Sequence, residues 1–420
     1  MPISRLKLTL ALPFVLASAA ANAATEISVQ YSYGFIFDKV MEEVRTEFMK
    51  RFPDIKVTHR PPYKDYEDGA QTALRNAVVK QLPDVSYQAI NLQRLFVDKK
   101  LAVDISPMIA KEKDWRGEGF SESMMALGNF GGKQYGLAFA ASTPIIYFNE
   151  DLVVKAGGDP NNFPTTWDGI FELARKIKAL GNDTVGLYHS WTITGNWMWQ
   201  ALVYSHGGEM LSADEKKVAF DGPNGQRAMK TLDRMLKEGT MPNLAHEAAR
   251  QTFFAGKMGI WTESTSLLRV ADDGVGGKFK WRTALFPVPG PDAKLPTGGN
   301  SALMFASTPE KQAAAWQYMK FATGPIGATI MVKGSGYMPP NSVPAGNRDM
   351  LGAFYETRPN HLTSLKQQKF MTAWYAFPGD NGLKIIDVIK DRLQSVVDQS
   401  TAPEKALQQM ATDVQGLLPK

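Results

Sequence analysis

Residues 25–90 switch repeatedly between two hydrophobic periods, and that switching constrains the fold more than any other feature. "TEISVQ" (25–30) alternates as a half-buried strand does. A turn, Tyr31-Ser32-Tyr33-Gly34, follows it. Over 35–51, Phe37, Val40, Val44 and Phe48 recur at steps of three and four, with Glu42, Glu43, Arg45 and Lys50 opposite, which predicts an amphipathic helix ended by Pro53. "IKVTHR" (55–60) is a second strand, 66–82 a second helix and "PDVSYQAI" (83–90) a third strand. A β-α-β-α-β order in so short a stretch predicts an α/β lobe with a substantially parallel sheet.

The chain has 420 residues, 44% apolar and 21% charged, enough for two or three globular units. Later segments continue the mixture. A helix is expected over 164–181, capped by Thr165 or Thr166, with strands at 184–190, within 254–264, at 281–291 and at 298–307, the last entered through Gly298-Gly299. Helices are expected at 309–324 and 383–396, within a mainly helical region from 346 onward. "GLAFAASTPIIYFNEDLVVKAG" (136–157) is the least ordinary stretch: two apolar strands joined through a Ser142-Thr143-Pro144 corner, then a helix.

The first residues have the three parts of an export signal: Arg5 and Lys7, an apolar run from Leu8 to about Ala17, and Ala21-Asn22-Ala23 at the cleavage position. The plain alternative is an uncleaved N-terminal helix. Cleavage after Ala23 takes the formal charge from +5 to +3. No later segment offers the 18 or more apolar residues of a membrane span. There is no cysteine, which excludes disulfides, thiolate metal sites, a cysteine nucleophile and a lipidated N-terminal cysteine. The expectation is a protein free in the periplasm.

Enzymatic motifs are sparse. The five histidines, His59, His189, His206, His246 and His361, show no metal-ligand spacing, and "HEAAR" (246–250) lacks the second histidine of a zinc helix. There is no G-x-S-x-G elbow, and "GVGG" (274–277) lacks the rest of a phosphate loop. No cofactor is implied and no enzyme is expected, although composition alone leaves a carboxylate pair for glycoside hydrolysis open. No clustered basic stripe points to nucleic acid.

Aromatic residues among polar ones say more. "SWTITGNWMWQALVYSHGG" (190–208) sets Trp191, Trp197 and Trp199 among Ser, Thr, Gly and Asn. A planar apolar wall next to hydrogen-bonding groups suits a sugar or polyol, and the alternative is that all three are core. "GSGYMPP" (334–340) carries Tyr337 in a rigid bend, and "MTAWYAFPGDNG" (371–382) carries Trp374, Tyr375, Phe377 and Asp380.

In the order of these features the chain resembles the periplasmic solute-binding proteins of ABC importers (extracellular solute-binding family 1). The resemblance is to their carbohydrate branch, which includes maltose-binding protein, and within it to the glycerol-3-phosphate-binding subfamily. The segments that carry it are "FMKRFPDIKV" (48–57), "LPDVSYQ" (82–88), 132–157, 164–181, "FFAGKMGIW" (253–261) and "SGYMPPN" (335–341). The resemblance implies two α/β lobes, each a sheet flanked by helices, with a cleft between them. Its implied division is a signal peptide over 1–23, one lobe from 24–139 plus about 291–337, and the other from 140–290 plus about 338–420. It implies capture of a small hydroxylated solute by hinge closure, with Tyr33, Tyr66, Ser142, Trp191, Ser264 (or Ser266), Gly299, Tyr337 and Asp380 as cleft residues. It also implies delivery by a monomer to an inner-membrane permease with its ATPase. Two departures from the glycerophosphate pattern stand out: Ile90 where an acid is expected, and Asp380 where an arginine is. An arginine is the natural bidentate partner of a phosphate. The departures therefore favour a neutral sugar, a polyol or a solute with a positive group, with glycerol-3-phosphate or a glycerophosphodiester as the alternative.

Overall fold

Alternation in the first segment produces the strands it predicts. In the computed structural model, which describes residues 24–420, β1 (Thr25–Gln30) pairs in parallel with β2 (Ile55–His59), Ile27 opposite Val57, and with β3 (Val85–Ala89). The segment read as an export signal lies outside the described residues. Helix Gly34–Arg51 buries Phe37, Val40, Val44 and Phe48. Each such side chain contributes about 1.5–3 kcal/mol when fully buried. Helix Tyr66–Val78 stops four residues short of the expected 82. Val78 and Val79 there are exposed and Lys80 turns into the left-handed region at φ 57°, so no apolar face remains to extend it.

Two sheets result. β4 (Gly136–Ser142) belongs to the first and β5 (Pro144–Asn149) to the second, with Thr143 alone between them. The second sheet is completed by β6 (Val185–His189), β7 (Met258–Ser264) and β8 (Trp281–Leu285), in the order β8-β5-β7-β6. The chain then returns to the first sheet as β9 (Leu295–Met304), antiparallel to both β3 and β4, with the short β10 (Met371–Ala373) at its edge. The first sheet runs β10-β9-β3-β1-β2, with β4 on the other side of β9. β4 therefore stays in its sheet three residues beyond the expected switch at Phe139. β9 also differs from expectation. It begins at Leu295 and runs through Gly298 and Gly299, which lie inside the strand and do not lead into it.

Helices flank both sheets. Gly34–Arg51, Pro309–Thr323 and Pro325–Gly334 pack on the first, and Trp167–Lys178, Pro223–Lys237 and His246–Phe254 on the second. Thr166 is the cap of Trp167–Lys178, its hydroxyl accepting from the Gly169 N–H at 3.3 Å. Helices Gly382–Val397 and Pro403–Gln415 pack on each other and on Pro223–Lys237. Among the described residues no helix is long and apolar enough to cross a membrane.

Candidate functional site

The carboxyl ends of β1, β4, β6 and β7 and the glycine pair of β9 converge on a cavity of about 600 Å³ between the two sheets. A crevice outside the carboxyl ends of strands is where open α/β sheets present ligand groups. Tyr33, Tyr66, Ser142, Ser264, Gly299 and Tyr337 all line it.

On the side of the first sheet the wall is aromatic. Tyr33 precedes helix Gly34–Arg51 with φ 58° and ψ 61°, a left-handed conformation that costs on the order of 1–3 kcal/mol for a non-glycine residue. The strained backbone sets its ring edge-on to Tyr66, centroids 4.9 Å apart. Tyr66 opens the next helix behind the Asp65 cap, and its hydroxyl accepts from Asn300 Nδ2 at 3.0 Å. The Tyr337 hydroxyl lies 3.4 Å from it, and the Tyr337 ring stacks on Phe37 at 5.4 Å. Burial raises the pKa of all three phenols, so the hydroxyls stay neutral donors and acceptors.

Gly298 and Gly299 explain how β4 and β9 come close enough to bring Ser142 to the same wall. A Cβ on Gly298 would lie 2.6 Å from Ser142 Oγ and 2.9 Å from the Trp197 ring. One on Gly299, at φ +119°, would lie 1.9 Å from the Ala140 carbonyl oxygen. Both glycines are needed for close approach.

The opposite wall mixes aromatic and polar groups. Trp197 donates through Nε1 to the Pro296 carbonyl at 3.1 Å, and Trp374 to the Gly195 carbonyl at 3.3 Å. Their centroids are 6.3 Å apart, and Trp374 lies 6.4 Å from Tyr66. Ser264 and Ser266 both line the cavity, and the Ser264 hydroxyl accepts from the Ser266 N–H at 3.1 Å. Glu263, fully buried, meets His246 Nε2 at 2.6 Å. Burial pulls the His246 pKa down, and the charge and hydrogen bond of Glu263 outweigh it, so the net shift is upward. A histidine whose folded pKa lies above its ordinary value contributes stability that is full below that ordinary value and is lost as pH rises through the folded one. His246→Gln is expected to flatten the decline of the urea midpoint between pH 6 and 9, and an unchanged decline would contradict this assignment.

Two expected site residues lie elsewhere. Trp191 is 2% exposed, packs within the core and does not line the cavity. Its polar neighbours in sequence make it read as a wall residue, whereas the neighbouring Thr192 lines the cavity. Asp380 is 78% exposed, pairs with Lys99 at 2.7 Å on the surface, and is not among the residues that line the cavity. Asp380→Ala is expected to leave solute affinity within about twofold, as for exposed ion pairs generally, and a larger loss would return Asp380 to the site. Trp199 is core, beside Phe220. Sequence reasoning missed Glu67, Glu263 and Arg250 as lining residues and left Trp374 unassigned. Glu67 reads as an ordinary acid in a first helical turn, and "HEAAR" was weighed only as a zinc motif.

Charge on the lining is mixed. Arg250 pairs with Glu247 and stacks its guanidinium over Phe35 at 4.7 Å, while Lys64 and Lys390 stand exposed at the rim. Among the described residues no cluster of three or more His, Asp or Glu could hold a metal ion.

The family model of the bacterial extracellular solute-binding proteins matches residues 43–349. A curated relative, the sn-glycerol-3-phosphate-binding periplasmic protein UgpB of Agrobacterium fabrum, is 25% identical over 375 residues, 86% of this chain and 84% of its own. Among solved structures, UgpB of Mycobacterium tuberculosis in complex with glycerophosphocholine superposes with a TM-score of 0.83 at 20% identity, covering 94% of this chain and 98% of the other. Maltose-bound MalE3 of T. maritima gives 0.78 at 20% identity, over 94% and 100%. At these identities the structural likeness establishes the two-lobed fold alone.

Proposed function

The chain belongs to the bacterial extracellular solute-binding proteins, and from that premise we propose that it is the substrate-binding component of an ABC importer. It captures a small hydroxylated solute, a sugar, a polyol or a sugar-like molecule, between its lobes and delivers it to an inner-membrane permease with its ATPase. The observation that carries this reading is the composition of the cavity. Rings of Tyr33, Tyr66, Trp197 and Trp374 and the Ser142, Ser264 and Tyr337 side chains line the same cavity, a combination that suits a solute whose C–H faces stack while its hydroxyls hydrogen-bond. Tyr33, Tyr66, Ser142, Ser264, Gly299 and Tyr337 are its proposed solute contacts. We further propose a periplasmic monomer, exported through a cleavable signal, that neither binds nucleic acid nor turns its solute over.

One observation favours a second reading, an sn-glycerol-3-phosphate or glycerophosphodiester ligand. Arg250, Lys64 and Lys390 bring cationic groups to the lining from three different segments, although none stands where the sequence pattern puts an arginine. The relative from Agrobacterium fabrum is itself named for binding sn-glycerol-3-phosphate, which is in keeping with this reading.

A thermal-shift screen of protein refolded after denaturation tests both. A ligand at a hundred times its dissociation constant adds about 2.7 kcal/mol of stability. Stabilisation by neutral sugars or polyols supports the first reading, and stabilisation by glycerol-3-phosphate or glycerophosphocholine alone supports the second. No shift across the panel contradicts both. Chemical change of a bound sugar would point to an exported carbohydrate-active enzyme instead.

A further inference from the structure

Several contacts join the two lobes, among them helix Trp197–Ser205 against β9, and one polar contact differs from the rest. Glu67 lies in the first turn of helix Tyr66–Val78, on the side of the first sheet. Thr194 and Gly195 lie in the turn between β6 and helix Trp197–Ser205, on the side of the second. Both carboxylate oxygens are committed across the gap. Oε2 accepts from the Thr194 hydroxyl, and Oε1 accepts from the Gly195 N–H at 2.6 Å.

The receiving turn is built to hold this position. Gly195 adopts φ 60° and ψ 23°, and a Cβ there would lie 2.4 Å from the Trp374 ring and 2.6 Å from Asn91 Nδ2. Its carbonyl accepts from Trp374 Nε1, and Asn196 Nδ2 ties the turn to the Ile386 carbonyl at 2.9 Å. Two other polar contacts between the lobes, the ion pairs Arg94–Glu215 and Lys99–Asp380, are open to water and salt screens such pairs, while the buried Trp197 Nε1–Pro296 carbonyl bond involves no charge.

We propose that Glu67 clasps the lobes together, a positioning residue that holds the cleft shut through Thr194 and Gly195. The proposal rests on the reading of the cleft as one that closes around a solute. A charged acceptor meeting two fixed donors, here partly shielded from water, makes hydrogen bonds about twice as strong as neutral ones. Its removal leaves the Gly195 N–H and the Thr194 hydroxyl without partners in the closed form only, so the open form gains.

The chain has no cysteine, so a pair introduced at Val78→Cys and Val154→Cys, both at exposed positions on different lobes, can be labelled uniquely. The interlobe distance is then measured by pulsed electron resonance on solute-free, refolded protein. The expected result is a short-distance population in the otherwise unaltered chain that falls roughly tenfold or more with Glu67→Ala, in line with loss of a hydrogen bond to a charged group. Thr194→Val, which removes only the donor hydroxyl, lowers it partway. The Glu67→Ala/Thr194→Val double variant goes no further than Glu67→Ala, and Lys99→Ala leaves the population in place. A short-distance population that survives Glu67→Ala, one absent from the unaltered chain, or a double variant that adds a second full loss overturns the proposal. The readout needs no solute. A solute screen that finds nothing therefore contradicts the proposed function without deciding the clasp, and the distances decide the clasp without the screen.

Discussion

Gly299→Ala is expected to lower folding stability by about 3–5 kcal/mol, combining left-handed backbone strain with forced overpacking. Gly299 holds φ +119°, and the added methyl would lie 1.9 Å from the backbone oxygen of Ala140 in the neighbouring strand. Neither side can yield without parting β4 from β9, because the contact is to main chain and not to the end of a flexible side chain. β9 is the strand that joins β3, β4 and β10 in one sheet, so the damage reaches the wall that carries Ser142. Urea unfolding with an unchanged slope measures it. Gly131→Ala is the comparison. Its φ is +60° but nothing lies within 4 Å, so only the backbone cost of about 1 kcal/mol applies. Equal losses at the two positions would show that the close approach of β4 and β9 does not matter.

Trp374→Ala is expected to weaken solute binding by at least about thirtyfold, or roughly 2 kcal/mol, as truncation of a central aromatic anchor does. Trp374 lines the cavity, meets the rings of both Tyr66 and Trp197, and holds the Gly195 carbonyl through its indole N–H. Its loss removes a stacking face and loosens the turn that Glu67 grips. Trp199→Ala separates this from general damage. Trp199 is buried in the core, so its replacement should cost about 3–5 kcal/mol of stability while the folded fraction binds solute as before. Titration calorimetry at a temperature where both variants remain folded distinguishes them. A Trp374→Ala protein that binds normally would move the solute away from this wall.

Much of the fold was legible because local signals and tertiary structure agree. Phe37, Val40, Val44 and Phe48 mark one helix face by spacing alone, and that face is buried. The small-residue corner at Ser142-Thr143-Pro144 is where one strand ends in the first sheet and the next begins in the second. Element ends were less legible. Helix Tyr66–Val78 ends where side chains stop meeting the sheet, which no propensity records. Gly298-Gly299 reads as a strand entrance, since glycine usually interrupts strands, whereas here the absence of Cβ atoms lets two strands approach.

The candidate site was legible only where a residue lies on a motif. Tyr66, Ser142, Ser264, Gly299 and Tyr337 reach the cavity from five separate segments. Asp380 and Trp191 read as cavity residues but lie off its lining, for a common reason: polar neighbours in sequence do not say which way a loop faces. Asp380 turns outward to Lys99, and Trp191 turns inward to the core. Glu67 and the Glu263–His246 pair were invisible because their partners lie 127 and 17 residues away in the chain. A carboxylate with no visible partner in sequence reads as solvated surface.

The most direct test of the central claim is to denature the purified native protein and identify by mass spectrometry the small molecule it releases. Titration of that compound back into the refolded, stripped chain completes the test. The account predicts one hydroxylated compound, recovered chemically unchanged, that rebinds one per chain with a dissociation constant on the order of a micromolar, about −8 kcal/mol. A protein that releases nothing and takes up none of the sugars, polyols or glycerophosphates offered, or that returns its compound chemically altered, would contradict it.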